Sequence, residues 1–287
     1  MLRRLAAGLA LSLATAGVAL AAPPFWAVRD ADSTLYLFGT MHVLTPEADW
    51  RTPAFDRAVR DSAQLWFEMD AEIAPDEIAK LLQTFGVDRE TPLADKVPPA
   101  TMTALRAALK DQPALLAMAE QMQPWAAAMV VQVLPMIEAG LTMSAGADST
   151  LTREGKAGGK TLRYFETAEA QLRFFSELPP AVQVQFLDDS LETVGASDED
   201  QLAIQKSWID GDLDRLAPEI LDQMRLQRPP LYDALVRRRN AAWVTVLARE
   251  LAGQGVAMVN VGALHMVGDD GLVAQLKARG FEVERIQ

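Results

Sequence analysis

The chain contains two histidines, and both stand in the same local phrase. Gly39-Thr40-Met41-His42 and Gly262-Ala263-Leu264-His265 each place an imidazole three residues after a glycine that closes an apolar run. Spending the whole histidine complement on one repeated geometry implies that the two rings meet at one site. Carboxylates occupy equivalent places, Glu68 after Ala63-Gln64-Leu65-Trp66-Phe67 and Glu166 after Thr161-Leu162-Arg163-Tyr164-Phe165. Two neutral imidazoles with one or two carboxylates suit a divalent first-row ion, Mn, Co, Zn or Fe, with a position left for water. Such an ion would bring water's pKa toward neutrality while a carboxylate outside its shell moved protons, so the chemistry expected is hydrolysis. His42, Glu68 and His265 are the candidate ligands. Arg237 to Arg239 read by default as a solvated helix face, yet Arg239 and Asn240 could turn one charge and one amide inward. Glu166 has a second reading as a cap of the following helix.

The elements that must position these groups are legible from apolar runs and breakers. Phe25–Val28 and Thr34–Phe38 read as a hairpin around Arg29-Asp30-Ala31-Asp32-Ser33. Strands follow at 63–67, 161–165 and 257–261, and Phe281–Ile286 alternates as an edge strand should. Thr52-Pro53 opens a helix to about Ala63. Residues from about 75 to 145 read as a helical subregion punctuated by prolines at 92, 98, 99, 113, 124 and 135. Met118, Met122, Met129, Met136 and Met143 recur there at spacings placing them near one helical face, read as packing. Further helices are expected from Thr167, from Pro180 to about Val194, from Pro229 to near Gly253, and from Gly271 to Arg279, with a long, mixed-charge helical region from Asp198 to Met224. Strands separated by helices imply an α/β fold with a central, mainly parallel or mixed sheet flanked by helices, and a helical insertion between its halves. In such sheets ligands bind beyond the carboxyl ends of the strands, where His42, Glu68, Glu166 and His265 fall.

Composition supplies an address and several exclusions. Residues 1–21 read as a secretory signal, with Arg3 and Arg4 ahead of the apolar Leu5–Leu20 and Ala19-Leu20-Ala21 as cleavage site. Its removal would leave 22–287 as a single domain, periplasmic or secreted, without a stable membrane anchor. The formal charge of −12 disfavours nucleic acid as a partner. The absence of cysteine excludes thiolate catalysis and disulfide stapling.

The two Gly-x-x-His motifs, Trp66-Phe67-Glu68-Met69-Asp70, Glu166-Thr167 with Gln171 downstream, Arg239-Asn240, and Val261-Gly262-Ala263-Leu264-His265-Met266-Val267-Gly268 resemble the TraB/GumN family over essentially the whole mature chain. That family is similar to the Tiki proteins, metal-dependent proteases, and more distantly to erythromycin esterase-like and ChaN-like proteins. The resemblance implies an α/β core in which His42 and His265 are metal-ligand or catalytic histidines and Glu68 a ligand or general base. It makes Glu166, Arg239 and Asn240 supporting residues. The expected function is a periplasmic metal-dependent hydrolase, most simply a peptidase acting on a peptide or protein substrate. Its rivals are a non-catalytic binder of metal, haem or another ligand, a vestigial site on a scaffold protein, and a metal-free hydrolase using histidine as base.

Overall fold

A computed structural model describes residues 22–195 and 197–287, so the expected signal segment lies outside the described residues. Six strands, β1 (Phe25–Arg29), β2 (Ser33–Thr40), β3 (Gln64–Phe67), β4 (Thr161–Tyr164), β5 (Gly255–Gly262) and β6 (Glu282–Arg285), form one sheet in the order β4-β3-β5-β2-β1-β6. β4, β3, β5 and β2 run parallel, whereas β1 is antiparallel to both β2 and β6. The sheet is therefore mixed, with the expected hairpin at one side and a parallel half carrying every strand end singled out in the sequence. Asp30 Oδ1 shapes the hairpin turn by accepting from the backbone N–H groups of Asp32 and Ser33.

Helices cover both faces. In chain order they are α1 (Pro53–Asp61), α2 (Pro75–Phe85), α3 (Pro99–Ala108), α4 (Pro113–Ala119), α5 (Pro124–Glu138), α6 (Ala147–Ala157), α7 (Ala168–Ser176), α8 (Pro180–Glu192), α9 (Asp198–Ile209), α10 (Leu213–Gln227), α11 (Pro229–Tyr232), α12 (Arg238–Leu251) and α13 (Leu272–Ala278). Proline stands first in α1–α5, where its missing N–H costs nothing and its fixed φ fits the first turn. Alternation along the strands divides the core. Leu35, Leu37, Val259 and Val261 face Trp243, Leu247 and Leu276 of α12 and α13. Phe38, Phe67 and Met258 face Phe55, Leu151 and Trp208 of α1, α6 and α9. β5 is buried from Ala257 to Gly262, as expected of a central strand covered on both sides. A third cluster, with Leu105, Trp125, Val131 and Leu187, joins the helical subregion to α8.

Two expectations are corrected. The long helical region expected from Asp198 to Met224 is divided into two helices and runs on to Gln227, because Gly211 adopts φ +74° between them and ends the first. The methionines do not share one face. Met122 is buried, Met118 is 42% exposed and Met143 is 68% exposed. α4 stops at Ala119 and Pro124 starts a new helix, so helical phase is not carried across the series. Among the described residues no helix is long and apolar enough to cross a membrane.

Candidate functional site

Parallel alignment of β2, β3, β4 and β5 puts their carboxyl ends on one edge, with Thr40 in register with Gly262 and Phe67 with both Asn260 and Tyr164. Just beyond those pairs come His42, Glu68, Glu166 and His265, which meet there as the sequence implied. The loop after β2 is locked to the start of α6: Ala147 N–H donates to Met41 O, and a Cβ at Gly146 would lie 2.0 Å from His42 O. The next residue in α6, Asp148, is buried and accepts from His42 Nδ1 at 2.8 Å through Oδ2 and from Thr40 Oγ1 at 2.7 Å through Oδ1. His42 Nδ1 therefore carries a proton, and Nε2 faces the centre. The Asp148 charge, against the opposing effect of burial, raises the His42 pKa to about 9. His42 is also the open side of the site, with 57% of its side chain exposed.

His265 is held from behind by α12. Asn240 Nδ2 donates to the carbonyls of His265 and Asp270, at 3.2 and 2.8 Å, leaving Oδ1 to accept from His265 Nδ1 at 2.6 Å. The imidazole is thus protonated on Nδ1, and its Nε2 lone pair points inward. Burial, reinforced by the positive charges of Arg239 and His42, pushes its pKa down to about 3, against the pull of Glu68. One imidazole is therefore neutral and buried, and the other is exposed and readily charged.

Between them lies a buried ionic cluster. Glu68 Oε1 accepts the Gly262 N–H at 2.8 Å, and Oε2 accepts from Arg239 and from Gln171. Burial alone would raise the Glu68 pKa; Arg239, the two imidazoles and the Gly262 amide outweigh it and hold the carboxyl well below the usual range. Arg239 grips Glu166 with Nε and Nη2 at 2.9 and 2.8 Å, and Nη1 donates to Leu235 O and to His265 Nε2 at 3.1 and 3.2 Å. All five N–H groups of the guanidinium are engaged, and its plane packs against Trp243 and Phe174. Glu166 also accepts from Trp243 Nε1 and Gln171 Nε2. It does not cap α7, because Thr167 fills that position with its own hydroxyl. A π-helical turn, Asp233–Arg237, precedes α12 and rotates the succeeding residues by about 100° relative to continuous α-helix. Arg239 and Asn240 point inward, whereas Arg237 and Arg238 stay exposed on Asp233.

Around Gly262 the three expected ligands converge. Glu68 Oε1 lies 4.0 Å from His42 Nε2 and 3.8 Å from His265 Nε2. Ligands about 2.1 Å from a tetrahedral ion stand ~3.4 Å apart, so each imidazole would have to approach Glu68 Oε1 by a few tenths of an ångström. Both imidazoles have the outer hydrogen bond that fixes a metal-binding histidine, one to a carboxylate and one to an amide oxygen. Imidazole and carboxylate are ligand types that divalent ions take, but as they stand no group of three His, Asp or Glu side chains among the described residues could hold a metal ion. Arg239 Nη1 occupies the His265 lone pair. Sequence reading missed Asp148 and Trp243 as members of the site and used Gln171 only as part of a motif. Asp148 had one signal, an acidic residue in the first turn of a helix otherwise buried on that side; Trp243 had none.

The profile of the TraB/PrgY/gumN family matches residues 24–285. Two curated relatives are 30% identical over 156 residues, each named "Uncharacterized protein YbaP", one from Escherichia coli K12 and one from Shigella flexneri. Each match covers 53% of this chain and 56% of the relative, so the chain spans about half the length of the curated relatives it matches. No solved structure matches the chain.

Proposed function

The chain belongs to the TraB/PrgY/gumN family, and from that premise we propose that it is a hydrolase dependent on a divalent metal ion, acting on peptide bonds in the periplasm or outside the cell. The observation that carries the reading is the convergence of two imidazole Nε2 atoms, each with its Nδ1 tied back by Asp148 or Asn240, on one oxygen of a buried glutamate. His42, Glu68 and His265 would hold the ion. Asp148 and Asn240 orient the rings, and Glu166 with Gln171 holds Arg239 against Glu68. An ion so held supplies Lewis acidity, polarising a scissile carbonyl and making water a stronger acid. The exposed face of His42 is where substrate would enter. The choice of peptide bonds rests on the motif likeness to the Tiki proteases, and the exported address on residues 1–21.

A second reading has one observation in its favour. Arg239 already compensates Glu68 and fills the His265 lone pair, as it would in a metal-free hydrolase where the His42–Asp148 pair moves the proton. One experiment separates the readings: cleavage of an unbiased peptide library by the metal-stripped protein, alone and with Mn, Co or Zn, with Glu68→Gln alongside. Cleavage restored by metal and lost in the variant is expected. Cleavage indifferent to chelator would overturn the metal reading in favour of the second. Stoichiometric metal binding without turnover of any peptide would overturn both for a binding protein.

A further inference from the structure

The buried cluster has a feature that the hydrolase reading does not use: the centre already contains a cation. We propose that Arg239 is the resident cation of the site, that a divalent ion must displace its Nη1 edge from His265 to bind, and that Glu166 retains the guanidinium while this happens. The inference rests on the reading of His42, Glu68 and His265 as metal ligands and concerns what controls their occupancy.

Three observations carry it. First, His265 Nε2 has one lone pair, because Asn240 Oδ1 fixes the ring proton on Nδ1, and that lone pair accepts from Arg239 Nη1 at 3.2 Å. A metal–nitrogen bond and this hydrogen bond exclude each other. Second, Glu68 is fully served without an ion: Oε1 by Gly262, Oε2 by Arg239 and Gln171. The metal-free form therefore leaves no buried carboxylate unpaired, and an ion gains only what Arg239 gives up. Third, the guanidinium has somewhere to stay. Its Nε and Nη2 edge is bidentate on Glu166, and its plane lies 4.7 Å from Trp243 and 5.3 Å from Phe174, so one edge can yield while the other holds. Glu166 is in this account the positioning residue that decides how readily Arg239 yields.

The test is titration of Mn into chelator-stripped protein by calorimetry, for wild type, for Glu166→Gln, and for Arg239→Met combined with Glu166→Gln, with thermal unfolding of each. The double substitution leaves the net charge of the centre unchanged, so altered affinity reports release of donors rather than a change of field. The expected result is at least ten-fold tighter binding by the double variant, and binding at least three-fold weaker by Glu166→Gln, whose guanidinium loses its bidentate carboxylate partner and leans more on Glu68 and His265. Equal or weaker binding by a folded double variant, with wild type binding Mn, would overturn the proposal and leave the metal centre standing. If the double variant does not fold, Glu166→Asp decides, because it keeps the charge and shortens the reach to Nε and Nη2: weaker binding supports the proposal, and unchanged or tighter binding overturns it. Folded proteins that bind none of Mn, Co or Zn would overturn the metal-dependent function and this inference together.

Discussion

Replacing Gly262 by alanine should leave the fold in place and disable the centre. Gly262 closes β5 with φ −47° and ψ 136°, a conformation alanine adopts without strain. The added methyl would stand 3.2 Å from both Glu68 Oε1 and His42 Nε2, closer than the ordinary contact range of 3.4–4 Å. Glu68 cannot retreat, because Gly262 N–H holds Oε1 at 2.8 Å and Arg239 holds the other oxygen. His42, on the open side, must give way. A swing of roughly 30° about a side-chain bond costs about 0.5–1.5 kcal/mol, so unfolding in urea should show a loss of about 1 kcal/mol. The function should suffer far more. A reacting group misplaced by about 1 Å costs on the order of 100-fold in rate, and here the methyl also fills the space the three donors share. Peptide cleavage and metal titration on the same preparation read the effect. A variant with wild-type turnover and metal affinity would refute the reasoning, because the gap at Gly262 would then not be where the chemistry occurs. A stability loss above about 3 kcal/mol would instead make this contact structural.

Two histidines make the pH behaviour directly readable by imidazole NMR. His265, with its pKa at about 3, stabilises the fold above its unfolded value near 6.5 and loses that contribution as pH falls toward 3. Between pH 6.5 and 4.5 stability should drop by up to about 1.4 kcal/mol per unit, the limit for one proton; a flat profile, or a His265 signal titrating near 6.5, would contradict the burial argument. His42 has the opposite sign: its contribution is complete below pH 6.5 and is lost as pH rises through about 9. Asp148→Asn should return the His42 midpoint toward 6.5, and an unmoved midpoint would show that another group holds the proton. Glu166→Ala should cost about 3–5 kcal/mol by leaving part of the buried Arg239 charge unpaired, while Arg237→Ala stays within about 0.5 kcal/mol, both measured by chemical denaturation; similar costs would refute the distinction between inward and outward arginines.

The parts of this protein legible in its sequence were those governed by local rules. Apolar runs ending in Gly-x-x-His or in a glutamate marked β2, β3 and β5 and their carboxyl ends, because a central strand covered by helices is apolar and its last residue is where polarity returns; the edge strand β4, Thr161–Tyr164, is half exposed and was marked by its alternation and the glutamate that follows. Prolines marked the first turns of α1 to α5 for the equally local reason that their φ is preset. Spacing failed where phase had to cross a break, as in the methionine series. The break at Gly211 also went unread, because Asp210-Gly211-Asp212 interrupts an otherwise helical pattern by a single glycine that many helices tolerate.

Residue types and strand ends, then, were determined by the sequence itself: two imidazoles and two carboxylates at the edge of a parallel sheet. Only the tertiary structure decided how they are joined. Asp148 reaches His42 across 106 positions, Glu68 meets Arg239 across 171, and Gly262 reaches Glu68 across 194. No local pattern encodes such pairings, since they arise from strand order and from the π turn that aims Arg239 inward rather than Arg237 or Arg238. The difference between a carboxylate awaiting a metal and one already held by an arginine is set there, by the low-dielectric packing that forces every buried charge to find a partner.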